Sequence, residues 1–530
     1  MTHPEPARAS RVALAAILVA AAAIQSAALP VPITGARDTQ SAAIARHLRE
    51  DGAAGILHPR GPFSADGRGE ALMEFPLVGA MGAVVETLVP PLGEAAYRFP
   101  SMAFAALSVA SIFALVRRRL GDTAALAAAA LAAFAPVHLE IAAAPRPDEA
   151  AFALTVFSLA LLDRGRMTAS AIALSLSFLA KTTYAIALVA WVVLLARRDG
   201  WRALLRPRSI AAFAIALAPI AAWQAHAARV NAASPLMGSL TVGESVADYL
   251  WQKGRIGLFL APRWYAGIGA RLAALATVGG SILALGGAAA IVARRDRRAA
   301  ALDLALALLG ALAALLVLFP WHSYDHPYYV LPALPLTALL GGIAVGEVRA
   351  FAARRGPAAA AAALAALLTA AAAAPELPRV VRRLRVHGSG AVAFGDAVRR
   401  LVPAGERIVV AAPFIGPWDG SLLYRADRDG WRYSTTTFDE SNPEHAARLE
   451  AARRERGEFL DPRRTVPFSL SREHALDPPE IERLRARGAA FFAYAGPLER
   501  LRADRPDLAA HLEATARLVE STPSLTLFSL

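Results

Sequence analysis

RVALAAILVAAAAIQSAALP (residues 11–30), continuing as VPITGARDTQSAAIARHLREDG (31–52), is the stretch that decides the fold. From Val12 to Pro30 the chain runs nineteen residues without a charge, close to the ~20 apolar residues that a helix needs to cross a bilayer. Arg8 and Arg11 precede the run, and QSAA near its end resembles a signal-peptide cleavage site. A signal peptide's apolar region is only ~7–15 residues long, so the segment reads as an uncleaved anchor. Asp38 follows eight residues after Pro30, on the side opposite the N-terminus, and an amphipathic stretch over 39–50 comes directly behind it.

The rest of the chain agrees with a membrane reading. Of 530 residues, 56% are hydrophobic, and long uncharged runs recur throughout. The net charge of +13 invites a nucleic-acid reading. The arginines, however, cluster in short loops between apolar runs, as positive-inside topology requires, and no basic patch interleaved with aromatics supports nucleic-acid binding. There is no cysteine, which excludes disulfides, thiolate metal sites and cysteine nucleophiles. Lys181 and Lys253 are the only lysines, and that pattern with the alanine excess matches a GC-rich bacterial genome.

Loop charge sets the expected topology. Residues 31–99 form an external loop carrying interfacial helices at 39–50 and 72–90; the second, LMEFPLVGAMGAVVETLVP, holds Glu74 and Glu86. Were 72–90 to span, Arg117, Arg118 and Arg119 would fall outside, against the positive-inside rule. Spans are expected near 100–116, 121–137, 149–162, 209–227, 266–292, 300–319, 328–346 and 357–374, with a long external loop at 228–264. The apolar run 168–196 is broken by Lys181-Thr182-Thr183. As one span it would export the basic loop RRDGWRALLRPR (197–208). Two short helices meeting at a turn that lines a cavity resolve the conflict. The expected fold is a polytopic α-helical membrane protein of about eleven spans, residues 1–377, followed by an external, soluble α/β domain over 378–530. In that domain RIVVAAPF, SLLYRADRDGW, AAFFAYAG and LTLFSL have strand length, and HAARLEAARRE and PPEIERLRARG read as helices.

Candidate chemistry gathers on the external side. Asp38 is either a helix-capping acid or a carboxylate that faces substrate. Glu74 suits a helix N-terminus through the dipole, and Asp148 and Glu149, in PRPDEAAF, suit a helix start after proline. Three acids from separate segments at one membrane face also fit a reaction site, with Arg146 beside them as an anion partner. Lys181, interrupting an apolar run, either snorkels or holds a phosphate as a point charge. PWHSYDHPYYV (320–330) brings His322, Asp325, His326, Tyr328 and Tyr329 to the end of a span. An aromatic belt, a metal site and a site for a lipid phosphate or sugar are the competing readings. No P-loop, GxSxG, HExxH or dinucleotide fingerprint is present.

In order, ARDTQSAAIARHL, EFPLVGA, AYRFPSM, PRPDEAAF, LAKTTYA and HPYYVLPALP resemble the polyprenol-phosphate-sugar-dependent glycosyltransferases of the GT-C superfamily. The resemblance is closest to bacterial relatives of protein O-mannosyltransferases and of the lipid A aminoarabinose transferase, and PWDGSLLYRADRDGW is similar to their soluble domain. It implies a GT-C fold and Asp38 as catalytic base. Family enzymes often carry an acidic pair there, whereas Thr39 follows here, leaving Asp148 or Glu74 to supply a second carboxylate. Lys181 is the implied phosphate-binding cation, with Arg60 and Arg146 as further candidates, and His322, His326, Tyr328 and Tyr329 complete the substrate-binding set.

The implied activity is inverting transfer of a sugar from a polyprenyl-phosphate carrier to a lipid, protein or polysaccharide acceptor outside a bacterial cytoplasmic membrane. Membrane lipids are the surroundings, nucleic acid is not a partner, no cofactor is required, and a divalent metal stays open. A transporter or flippase of lipid-linked sugars is the rival, and would call for internal repeats with interrupted helices in matched positions, which the sequence does not display. A non-catalytic glycan- or lipid-binding membrane protein is a third reading.

Overall fold

A computed structural model describes residues 5–62, 69, 72–232, 259, 262–293, 299–386, 388–413, 420–435 and 476–530. Three features expected from the sequence lie outside these residues: most of the 228–264 loop, the basic loop RRDRR (294–298) and the helix HAARLEAARRE (445–455). The Asp325 side chain lies outside them too. The chain divides into two compact units. The first comprises Met1–Val31, Glu74–Ala227 and Val242–Val386, and the second Pro32–Met73, Ala228–Thr241 and His387–Leu530.

The first unit is helical. In chain order it holds α1 (Glu5–Gln25), then, after α2 (Ala36–Asp51) of the second unit, α3 (Leu77–Leu88), α4 (Phe99–Leu120), α5 (Asp122–Ala133), α6 (Pro136–Ala142) and α7 (Pro147–Asp163). It continues with α8 (Met167–Ala180), α9 (Ala187–Asp199), α10 (Pro207–Asn231), α11 (Pro262–Ala293), α12 (Ala299–Leu318), α13 (Pro320–Asp325), α14 (Leu334–Ala353), α15 (Ala358–Ala373) and α16 (Leu377–Leu384). Among the described residues seven helices are long and apolar enough to cross a membrane, or eight if α5 and α6, bent by 62° at their junction, form one span. The remaining expected spans are α7 and the two arms α8 and α9, which are shorter than a full crossing. The chain is a multi-pass membrane protein.

The short helices survive because protein, not lipid, surrounds them. Along α7 nearly every residue from Pro147 to Leu162 is buried, and the helix packs against α4 and α8. A helix apolar all round belongs in such a core. The expected interfacial helix begins later than 72: α3 starts at Leu77, after Pro76, and stops before Pro90-Pro91. Val84 and Leu88 keep it 58% and 75% exposed on one face, as a helix lying at an interface requires.

α14 packs against both α5 and α11. Small residues permit this approach: a Cβ on Gly342 would collide with the Ala124 carbonyl, and one on Gly287 with the Leu340 carbonyl. In lipid, where apolar burial adds little drive, such close packing is what associates helices.

The second unit is α/β. It contains α2, α17 (Ser389–Leu401), β1 (Arg407–Ala412), α18 (Ser421–Ala426), β2 (Gly430–Ser434), α19 (Pro478–Ala486), β3 (Ala489–Tyr494), α20 (Leu498–Asp504), α21 (Pro506–Thr515), β4 (Arg517–Ser521) and β5 (Thr526–Ser529). The strand order is β2-β1-β3-β5-β4, with β1 parallel to β2 and β3, and β5 antiparallel to β3 and β4. Period-two alternation in β1 feeds both faces. Ile408 and Val410 join Phe394, Val398 and Leu423 on one side, while Val409 and Ala411 join Phe492, Leu508 and Phe528 on the other.

SLLYRADRDGW departs from its expected strand. Ser421–Ala426 is helical, ends at Asp427 in the left-handed region (φ 56°), and only then enters β2. Leu423 and Ala426, three residues apart, share one buried face of α18.

Gly342→Leu is expected to overpack the α5–α14 contact, at a cost of about 1–3 kcal/mol or more. Detergent-solubilised protein should lose its monodisperse peak and its thermal midpoint should fall; an unchanged melting profile would contradict the close approach.

Candidate functional site

In the first unit the site is built where α7 begins and where α8 stops. Arg146, in extended backbone, precedes α7, and Pro147 takes its first position, where a missing N–H costs nothing. Asp148 and Glu149 follow in the first turn, where the helix dipole favours acids. On the facing segment α8 ends at Ala180, and Lys181 is fully extended (φ −158°, ψ 112°) before a 3₁₀ turn over Thr182–Ile186 leads into α9. The Lys181 N–H still caps α8 by donating to Ser177 O at 2.9 Å.

Lys181 and Asp148 form an ion pair, with only 6% and 1% of each residue exposed. The lysine therefore does not snorkel to water. Its ammonium lies over Tyr328 and Tyr329, 4.7 Å and 4.9 Å from the ring centroids, an arrangement in which the ring faces stabilise a desolvated cation. Arg146 approaches the same Tyr328 ring at 5.7 Å. The tyrosines belong to a 3₁₀ turn, Pro327–Ala333. His326 stacks on Tyr328 (5.1 Å, 12°), and His322 lies 5.0 Å from Tyr329 and 5.8 Å from His326. Seven sequence candidates (Arg146, Asp148, Lys181, His322, His326, Tyr328 and Tyr329) thus fall in one cluster.

Glu74 precedes α3 in a bend and is half-buried. Its neighbour Phe75 donates its backbone N–H to Leu179 O at 3.0 Å, which ties this segment to the end of α8, two residues before Lys181. The Phe75 ring meets Trp223 edge-on at 5.2 Å.

A second buried pair joins Glu149 to a residue that was not among the sequence candidates, His138. Glu149 Oε1 lies 3.1 Å from His138 Nε2, with 0% and 1% of the two residues exposed. His138 Nδ1 is 2.9 Å from Ala132 O, and Ser108 Oγ is 3.1 Å from Nε2 while donating to Ala105 O at 2.8 Å. His138 sits in the apolar string FAPVHLEIA, and the signal for it was a lone polar ring between helix breakers eleven residues before an acid.

The second unit holds Asp38 and Arg60. α2 starts at Ala36 with Gly35 as N-cap, so Asp38 occupies the third helical position rather than the cap itself. It is half-buried, and its Oδ2 lies 2.8 Å from where a Cβ on Gly35 would sit. Glycine at 35 thus leaves room for the carboxylate to fold back over the helix start. Beside it Thr39 is fully buried and Gln40 takes a 2.7 Å bond from Arg37.

Arg60 binds Asp51 (2.8 and 3.0 Å) and Glu50 (3.2 Å), and lies 3.5 Å from Asp429. Burial alone would lower its pKa, but the hydrogen bond and charge of Asp51, with Asp429 and Glu50, hold the guanidinium above its ordinary value. It lines a cavity of about 210 Å³ with Arg46, His47, Tyr424, Asp427 and Asp429. Arg46 pairs with Asp427 and lies 4.3 Å from the Tyr424 ring centroid, docking α2 on α18. Among the described residues no group of three or more His, Asp or Glu side chains is arranged to hold a metal ion.

A sequence profile of the dolichyl-phosphate-mannose-protein mannosyltransferase family matches residues 76–226, the segment that carries Asp148 and Lys181. No curated protein sequence matches the chain. Among solved structures it is similar to ArnT from Cupriavidus metallidurans bound to undecaprenyl phosphate, at 16% identity and a TM-score of 0.59, with 97% of each chain covered. The apo state of that protein aligns at 15% identity and 0.59 over 98% of each chain. The Archaeoglobus fulgidus oligosaccharyltransferase in complex with zinc and sulfate aligns at 13% identity and 0.50, over 96% of this chain and 72% of that one. Helices and sheet together define a multi-pass membrane protein with a small α/β domain. Its fold is that of ArnT, the structure it resembles over nearly its whole length.

The buried pair makes a stability prediction. Asp148→Asn or Lys181→Met alone strands a charge and should cost about 3–5 kcal/mol, whereas the double variant removes both charges and should recover most of the loss. Thermal midpoints of the four proteins in one detergent check this. Additive losses would show that the two side chains do not depend on each other.

Proposed function

We propose that the protein is an inverting glycosyltransferase that moves a sugar from a polyprenyl-phosphate carrier to an acceptor on the outer side of a bacterial cytoplasmic membrane. The observation that carries this reading is the Lys181–Asp148 pair beneath Tyr328 and Tyr329 at the break between α8 and α9. A cation held this deep serves an anionic ligand or a structural partner, and ArnT, which shares the fold, has been captured with undecaprenyl phosphate.

Asp148 pairs with Lys181 in apolar surroundings, and the ammonium meets the donor phosphate as a point charge. Arg146 adds a second positive group, and His322, His326, Tyr328 and Tyr329 form the wall against which the phosphate or sugar rests. Asp38 acts as general base. It takes the proton of the acceptor hydroxyl or amine as that atom attacks the anomeric carbon from the face opposite the phosphate. The bond from carbon to phosphate oxygen breaks, its electron pair leaves with the polyprenyl phosphate, and the anomeric centre inverts. Positive groups near the departing phosphate stabilise the charge that develops there. Glu74 is the second carboxylate of the set, and Arg60, ringed by three acids, is assigned to holding its own loop rather than a free anion.

Two measurements test the reading. Asp38→Asn, folded and inserted, should lose about 10²–10⁴-fold in transfer rate, the range for removal of a general base; near-wild-type turnover would remove Asp38 from the mechanism. In a deletion strain, mass analysis of membranes should find one envelope glycoconjugate short of a sugar and its lipid-linked donor accumulated. Finding neither would end the transferase reading.

A further inference from the structure

The charged groups at the opposite end of α7 are arranged differently from those around Asp148. Arg164 follows the last residue of α7, so along a helix rising 1.5 Å per residue it lies ~24 Å from Asp148. There Arg11 of α1, Arg117 and Arg118 of the last turn of α4, and Arg164 converge with Phe113 and Ala114 on a cavity of about 550 Å³. Two carboxylates stand beside it. Asp122 accepts from Arg117 Nε at 2.6 Å and from Ser10 at 2.5 Å. Asp163 pairs with Arg119 and, at 3.3 Å, with Arg118. Five guanidiniums therefore face two acids, and the side chains of Arg11 and Arg164 make no hydrogen bond or ion pair among the described residues.

Positive-inside topology accounts for the number of arginines at this end. It does not account for four of them, from three separate segments, surrounding one concavity with no carboxylate in its wall. The apolar surroundings also have a direction. Phe113 and Ala114 lie toward the membrane interior along α4, one turn before Arg117 and Arg118. α1 is the least buried of the long apolar helices, and its Val12 and Val19, exposed at 64% and 68%, begin one residue beyond Arg11. A ligand matching this surface carries an anionic phosphate ester at one end and hydrocarbon at the other.

We propose that this cavity is a binding site for the phosphate headgroup of an anionic phospholipid, with its acyl chains along α1 and α4. Basic pockets between membrane helices suit such headgroups. Arg11 and Arg164 supply the excess charge, and Arg117 and Arg118, oriented by Asp122 and Asp163, supply fixed donors. The site stands apart from the proposed sugar transfer and does not depend on it.

Native mass spectrometry of the full-length protein in detergent tests the assignment, with phosphatidylglycerol, phosphatidylcholine and inorganic phosphate as probes. The wild type should retain phosphatidylglycerol in preference to phosphatidylcholine. The Arg11→Gln/Arg164→Gln double variant should bind phosphatidylglycerol about 30-fold more weakly, since each basic residue near an anionic lipid surface contributes about 1 kcal/mol and every 1.4 kcal/mol is tenfold. Arg11→Lys/Arg164→Lys, which keeps both charges, should retain most of the binding, and size-exclusion profiles of all three proteins should coincide. Equal retention of the two lipids by the wild type would overturn the proposal, as would undiminished phosphatidylglycerol binding by the glutamine variant. Displacement of the lipid by an equal concentration of inorganic phosphate would show that a free anion, not a lipid, is the ligand.

Discussion

The ion pair between Lys181 and Asp148 is the constraint around which the first unit is organised. A lysine inside an apolar hairpin is costly wherever it lacks a counter-charge, and here the counter-charge comes from thirty-three residues earlier, at the first turn of α7. To meet it, the hairpin must break, since a continuous helix would carry the backbone past the start of α7. The break frees backbone groups that lipid could not satisfy. The Lys181 N–H answers by capping α8, and the following 3₁₀ turn supplies the Tyr184 N–H to Lys181 O contact at 3.0 Å. One charge requirement thus sets helix lengths, the turn and the approach of the 320–335 segment whose tyrosines cover the ammonium.

Adjacent acids at the head of α7 extend the same logic. Successive residues on a helix project about 100° apart, as 3.6 residues per turn requires, so Asp148 and Glu149 cannot share a partner. Asp148 reaches Lys181 and Glu149 reaches His138, which fastens the start of α7 on two sides. Ser108 donates to Ala105 O, His138 Nδ1 lies against the Ala132 carbonyl, which can only accept, and Nε2 faces Glu149. A pair with no net charge is the arrangement a dry interior tolerates best.

Much of this was legible in the sequence because the membrane imposes simple rules. Uncharged runs of span length and the sign of the loops placed α1, α4, α10, α12 and α14, and the conflict between hairpin length and loop charge located the break at Lys181. Two things could not be read. His138 looks like any polar residue near a proline until α6 bends and turns it toward Glu149. SLLYRA has the composition of either a strand or a short helix, and only its packing, Leu423 and Ala426 on one buried face, makes it α18. Arg60 was ambiguous for a related reason: sequence gives a cation, but Asp51, Glu50 and Asp429 come from two distant segments that only the fold of the second unit assembles.

Charge along α7 therefore changes character from one end to the other. At the Asp148 end the deeply buried charges are paired, Asp148 with Lys181 and Glu149 with His138, because an unpaired buried charge is costly. At the Arg164 end Arg11, Arg118 and Arg164 are exposed, so excess positive charge costs little and is set by topology and by what can bind there. The same distinction separates the two kinds of arginine in this protein. Those that are matched, such as Arg60 and Arg46, hold parts of the second unit together. The side chains of Arg11 and Arg164 have no ion-pair partner among the described residues. A folded chain gains nothing structural by gathering such groups around a cavity, since their mutual repulsion opposes it. Their convergence is explained by an anion from outside the chain, and in a membrane protein the phosphate of the surrounding lipid is the anion always at hand.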